Sequence, residues 1–91
     1  MDQLVTVTLY SRPGCHLCEE MKAAVDAAAR RQPLHVEVID ITSDPALEAR
    51  YGAEIPVLLV SGRRVAKYRI SSEALARALS GAGSPGGPAP E

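Results

Sequence analysis

Apolar and polar positions alternate along Val5-Thr6-Val7-Thr8-Leu9-Tyr10, a stretch rich in β-branched residues. That period and composition predict a half-buried strand. Pro13 and Gly14 break the pattern, so Ser11 to Gly14 read as a turn. The period then changes. Cys18, Met21, Val25 and Ala28 fall at helical spacing, with Glu19, Glu20, Lys22, Asp26 and Arg30 on the other side. A helix is expected from near Cys15 to Arg31, stopped by Pro33. Its early acids and late Arg30-Arg31 suit the helix dipole.

Alternation returns at Leu34-His35-Val36-Glu37-Val38, and Ile39-Asp40-Ile41 continues the strand. A helix between two strands allows them to pair in parallel through a right-handed crossover. Asp44-Pro45 read as N-cap and first residue of a short helix running to Tyr51, ended by Gly52. Asp40 and Asp44 are thus strand-end and capping residues rather than acid–base groups. Ile55 to Val60 form a further apolar strand, with Pro56 tolerated at its start. Ser61-Gly62-Arg63 supply a tight turn, and Arg64 to Arg69 return as a charged edge strand. Ser71 caps a last helix, with Ile70 and Leu75 placed as a hydrophobic staple. Leu75, Ala78 and Leu79 form its apolar face, and Gly81 ends it. The order βαβαββα predicts an α/β domain over residues 1–81, a four-stranded mixed sheet flanked by helices. Residues 82–91, mostly Gly, Pro, Ser and Ala, read as a disordered tail.

Composition narrows the function. Ninety-one residues make one small domain. With no Phe or Trp, its core must come from Val, Leu, Ile, Ala and three Tyr. A formal net charge of −1 gives no electrostatic case for nucleic acid. No apolar run approaches the ~20 residues of a membrane span, and Met1-Asp2-Gln3 lack the start of a signal peptide. A cytoplasmic, reducing setting is therefore expected, where a cysteine pair is more often catalytic or metal-binding than structural.

Both cysteines lie in Arg12-Pro13-Gly14-Cys15-His16-Leu17-Cys18, three residues apart. Thiols at i and i+3 on the first helical turn share a face and sit near bridging range. The free N–H groups and positive dipole end there stabilise a thiolate, the reactive form. Cys-x-x-Cys between a strand and a helix reads as a redox pair. Three other readings compete. Both cysteines could be buried structural residues. They could be half of a zinc site, though only His16 and His35 remain to complete four ligands. They could hold Cu(I) between two thiolates. A haem attachment site is excluded, because Glu19 rather than His follows Cys18. Leu17 is offset from the core face and is expected to be exposed beside the thiols, where a partner could touch it.

Leu9-Tyr10-Ser11-Arg12-Pro13-Gly14-Cys15-His16-Leu17-Cys18, with Ile55-Pro56-Val57-Leu58 following in the second half, resembles a glutaredoxin of the thioredoxin superfamily. More narrowly, the chain is similar to small bacterial glutaredoxin-like proteins over residues 4–80. The resemblance implies a thioredoxin-like fold and thiol–disulfide oxidoreductase activity without a metal or organic cofactor. It implies that Cys15 attacks and Cys18 resolves. It implies a cis-proline at Pro56 against the active-site disulfide, and an Ile55 backbone that pairs with substrate. Arg12 stands where glutaredoxins carry a Lys that contacts a glutathione carboxylate. From the residues alone, Arg12 reads equally as a solvated turn residue and Pro56 as a trans strand-start proline.

The expected substrates are protein or glutathione mixed disulfides, with glutathione as cosubstrate or a thioredoxin-type reductase as electron donor, and a monomer is expected. The chain also departs from the glutathione-dependent pattern. The Gly-Gly pair and nearby Asp before the last helix are replaced by Arg69-Ile70-Ser71-Ser72-Glu73-Ala74. Ser71 still opens a helix able to receive an anion, but side chains at Ile70 and Ser71 stand where glycine allows close approach. Weak glutathione binding follows. Leu9 stands where thioredoxins place a buried Asp, which argues against a thioredoxin-like proton relay. The Cu(I) alternative predicts a βαββαβ order ending in a strand.

Overall fold

In the computed structural model, which describes residues 4–82, the chain forms β1 (Val5–Ser11), α1 (His16–Ala29) and β2 (Leu34–Asp40). A 3-10 turn (Ile41–Ser43) leads to α2 (Pro45–Tyr51), β3 (Val57–Val60), β4 (Arg63–Lys67) and α3 (Ser72–Ala82). The sheet order is β2-β1-β3-β4. β1 and β2 run parallel from Val5↔Leu34 to Ser11↔Asp40, with α1 as the crossover. β3 lies antiparallel to β1, and β4 antiparallel to β3. This is the expected α/β, four-stranded mixed sheet in the order βαβαββα. The last described element is a helix, not the terminal strand of a βαββαβ copper-handling domain.

Helices cover both faces of the sheet. On one, Met21 and Val25 of α1 and Leu75 and Leu79 of α3 pack on Val7, Leu9, Leu58 and Val60. On the other, Tyr51 of α2 packs with Ile41 and Val57, joined by Tyr10, Leu47, Ile55 and Leu59. The period of two explains the division: Leu9 and Leu58 face one layer while Tyr10 and Val57 face the other. Tyr10 and Tyr51 stack with ring centroids 4.3 Å apart. The inner strands β1 and β3 are thus locked from both sides, and the cysteine turn leaves from the end of one of them. Among the described residues, no helix is long and apolar enough to cross a membrane.

Element boundaries differ from the sequence reading for identifiable reasons. Ile41 does not extend β2. The Asp40 carboxylate accepts the Thr42 N–H at 2.9 Å, and this local bond turns the chain into a 3-10 turn with Ile41 fully buried. α1 stops at Ala29, not Arg31. The Arg30 and Arg31 N–H groups reach the carbonyls of Ala27 (3.2 Å) and Ala28 (2.9 Å), a tighter i to i−3 pattern. β3 begins at Val57 because Pro56 has no N–H to donate. Ser61 (φ 52°) and Gly62 (φ 80°) form a two-residue hairpin with positive φ at both central positions, so Arg63 already belongs to β4. β4 ends at Lys67, because Tyr68 adopts φ 69° and leaves the extended region. Gly81 does not end α3, which continues to Ala82, a residue expected in the tail. The remainder of that tail, residues 83–91, and residues 1–3 lie outside the described residues.

Candidate active site

Gly14 (φ 81°) turns the chain into α1; an added Cβ would meet nothing within 4 Å, so the backbone conformation and not crowding favours glycine. The Cys15 N–H donates to the Arg12 carbonyl at 3.3 Å, closing the turn. Cys15 is the N-cap of α1, one step before the first helical turn where spacing alone put it. Its Sγ accepts the Cys18 backbone N–H at 3.1 Å. That is the cap bond usually made by Ser or Asp. The two cysteines are joined as a disulfide, with Cα atoms 5.2 Å apart. Cys18 is buried, 5% exposed, and Cys15 is half-buried.

A hollow beside the disulfide is lined by Arg12, Cys15, Cys18, Lys22 and Val38, with Leu9 contributing from β1. Val38 is 48% exposed there, because β2 is an edge strand that α1 covers incompletely at this end. The Arg12 Nη2 donates to Glu48 Oε2 of α2 at 2.8 Å and to the Gly52 carbonyl at 3.4 Å. Its Nε is buried and has no partner among the described residues. Arg12 is therefore not a freely solvated turn residue; it is tied to α2. Lys22 pairs with Asp26 at 3.1 Å. His16 is exposed and pairs with Glu20 at 2.9 Å, and Arg69 reaches Glu20 at 3.7 Å. Among the described residues, no cluster of three or more His, Cys, Asp or Glu side chains is placed to hold a metal.

The other candidate residues lie around this centre. The Ile55–Pro56 peptide is cis, and Pro56 is fully buried. The β1–β3 register runs from Val7↔Val60 to Tyr10↔Val57, so one further step sets Pro56 opposite Ser11, at the sheet end that carries the cysteine turn. The Pro56 carbonyl accepts the Tyr68 N–H at 2.9 Å. Among the described residues, the Ile55 N–H and carbonyl take part in no backbone hydrogen bond. Leu17 is half-buried, not exposed. Ser71 uses its hydroxyl as the α3 cap, accepting the Ala74 N–H at 3.0 Å. It borders a separate hollow with Glu20, Met21, Tyr68, Arg69 and Ile70. Arg12, Cys15 and Cys18 thus converge, while Ser71 lies at a second depression and Leu17 lines neither.

Glu48 and Val38 were not singled out from the sequence. Val38 carried a signal in its place at the end of the Leu34-Val36-Val38 alternation. Glu48 carried none, since its partner Arg12 is 36 positions away. Two titrating groups nearby are shifted. The Thr42 hydroxyl and N–H hold the Asp40 carboxyl below its ordinary value, with the Arg12 guanidinium adding to this. Burial raises the Tyr10 phenol, as does the adjoining Tyr51.

A parallel βαβ unit followed by a hairpin and a helix, with a Cys-x-x-Cys disulfide heading the first helix, defines a thioredoxin-like domain. The chain belongs to the glutaredoxin-like domain family (DUF836), whose model matches residues 6–80. It is similar to protein Ne2328 from Nitrosomonas europaea, solved by NMR, at 28% identity and a TM-score of 0.72, covering 85% of this chain and 93% of that one. It is similar to an X. campestris protein, solved by X-ray, at 35% identity and a TM-score of 0.69, covering 81% and 95%. A mutant thioredoxin from Halobacterium salinarum shares the fold at 21% identity and a TM-score of 0.66, covering 88% and 75%. No curated protein matches.

Proposed function

We propose that this domain is a dithiol thiol–disulfide oxidoreductase acting on protein disulfides. The observation that carries the reading is the asymmetry of the pair: Cys15 is the more accessible sulfur and already accepts the Cys18 N–H, while Cys18 is buried behind it. After reduction, that N–H and the helix dipole favour a thiolate at Cys15. The thiolate attacks one sulfur of a substrate disulfide and expels the other as a thiolate, giving a mixed disulfide. Cys18, deprotonated, then attacks the Cys15 sulfur. The second substrate sulfur leaves as a thiolate, and the Cys15–Cys18 disulfide is formed. The pair loses two electrons and the substrate gains them. Regeneration needs an external dithiol or thiol donor, for which a thioredoxin-type reductase or glutathione is proposed. Ile55 supports a substrate role through its unpaired backbone groups, which can hydrogen-bond an extended segment.

The test is reduction of insulin disulfides by the pre-reduced protein, alongside titration with Cu(I). Thiol-dependent reduction that is lost on Cys15→Ser is expected. Tight Cu(I) binding with no disulfide reduction would overturn the reading in favour of a copper-handling domain.

A further inference from the structure

Each cation around the redox pair already has a carboxylate partner from this chain. Arg12 is held by Glu48, Lys22 by Asp26, and His16 and Arg69 share Glu20. Arg12 matters most, because it belongs to the same turn as Cys15 and lines the hollow beside both sulfurs. Its planar fork of donors is suited to a carboxylate carried by an incoming thiol compound. Glu48 takes the Nη2 arm of that fork from α2, on a helix that does not otherwise touch the cysteine turn's hollow. The Gly52 carbonyl at the end of α2 accepts from the same Nη2, so that end of the guanidinium is aimed at α2.

We propose that Glu48 is a specificity-determining residue: by holding Arg12 it withholds the cation beside Cys15 from carboxylate-bearing thiols, and so favours disulfides without a nearby anionic group. The inference rests on the oxidoreductase reading above and names its substrate class. An incoming carboxylate that grips the fork through Nη2 must displace an intramolecular one already bonded there, so it gains little from Arg12. The pair is part-exposed on both sides, 37% and 44%, so the barrier is moderate and screened by salt. The effect on selectivity should accordingly be about 1.5- to five-fold.

The full chain is pre-reduced and reacted in single turnover with glutathione disulfide and, separately, with uncharged 2-hydroxyethyl disulfide. The readout is the ratio of the two second-order rate constants. Glu48→Gln should raise that ratio about 1.5- to five-fold. The rise should appear in half-saturating concentration and not in limiting rate, and should shrink at high salt. Adding Arg12→Ala to Glu48→Gln should return the ratio to its starting value, which a merely loosened turn would not do. An unchanged ratio, or a rise that survives removal of Arg12, would overturn the role of Glu48. Failure of the reduced wild-type protein to react with either disulfide would instead overturn the oxidoreductase reading.

Discussion

The Cys18 backbone N–H donates to the Cys15 sulfur across 3.1 Å, while the Cys18 sulfur itself is buried under the first turn of α1. One bond therefore both caps the helix and marks the sulfur that can carry negative charge. In the reduced protein, Cys15 should alkylate with iodoacetamide well before Cys18 at neutral pH, as mass spectrometry of partially labelled protein would show. Cys18→Ser should accumulate a mixed disulfide with a disulfide substrate, and Cys15→Ser should form none. Preferential labelling of Cys18 would reverse the assignment.

The platform beneath the pair depends on a small core. Leu58 is fully buried on the inner strand β3, opposite Leu9 of β1, and packs against α1 and α3. Leu58→Ala removes buried methyl groups and leaves a cavity, at a cost of about 2–5 kcal/mol. Domains of this size have little stability in reserve. The urea midpoint should fall accordingly, and the slope of the transition should stay unchanged.

Much of the architecture was legible because local and long-range signals agree. The Val5–Tyr10 alternation, the helical spacing of Cys18, Met21 and Val25, the Asp44-Pro45 cap and the Ser61-Gly62 turn each fix one element without help from elsewhere. The failures sit where a single side chain overrides a pattern. Ile39-Asp40-Ile41 is β-branched enough to continue a strand, but Asp40 captures the Thr42 N–H and bends it. Tyr68 looks like a strand residue, yet its N–H bonds the Pro56 carbonyl and its hydroxyl bonds the Ala53 carbonyl at 3.0 Å, which pulls it into positive φ. At the site, the cysteine pair was legible from spacing. The Arg12–Glu48 contact was not, because it joins a turn to a helix through folding alone.

Asp40 gives the acid limb of stability a specific contributor. Its carboxylate accepts the Thr42 N–H at 2.9 Å and the Thr42 hydroxyl at 2.6 Å, bonds that favour the charged form. Its folded pKa is lowered from the ordinary value of 3.8. The ionised group therefore contributes stability above that value, and the contribution is lost as pH falls through the lower folded value. In Asp40→Asn the fall in stability below pH 3.8 should be shallower than in the wild type, read from urea midpoints at successive pH values. Parallel curves for the two proteins would show that the Thr42 bonds do not couple to the charge.

Gly52 should be intolerant of even one added carbon, and for a reason unrelated to backbone freedom. Its φ is −53°, a conformation open to any residue. The constraint is space. A Cβ there would stand 2.6 Å from the Glu48 carbonyl oxygen and 3.4 Å from the Arg12 Nη2. The first contact is with backbone, which cannot rotate away, so the last turn of α2 would have to shift. That turn holds the Gly52 N–H bond to the Glu48 carbonyl at 2.9 Å and presents the Glu48 carboxylate to Arg12. Gly52→Ala is thus expected to destabilise the domain by about 1–3 kcal/mol, which corresponds to about 4–8 °C in Tm per kcal/mol for a domain of this size. Alanine's better helix propensity works in the opposite direction by about 1 kcal/mol at most, so the sign of the result is decided by the contact. A second measurement separates crowding from loss of the ion pair. Glu48→Gln leaves the backbone contact intact and removes only a part-exposed charge pair, so it should cost no more than about 1 kcal/mol. A Gly52→Ala protein as stable as the wild type would show that the end of α2 yields freely, and that Arg12 is not held by a rigid seat.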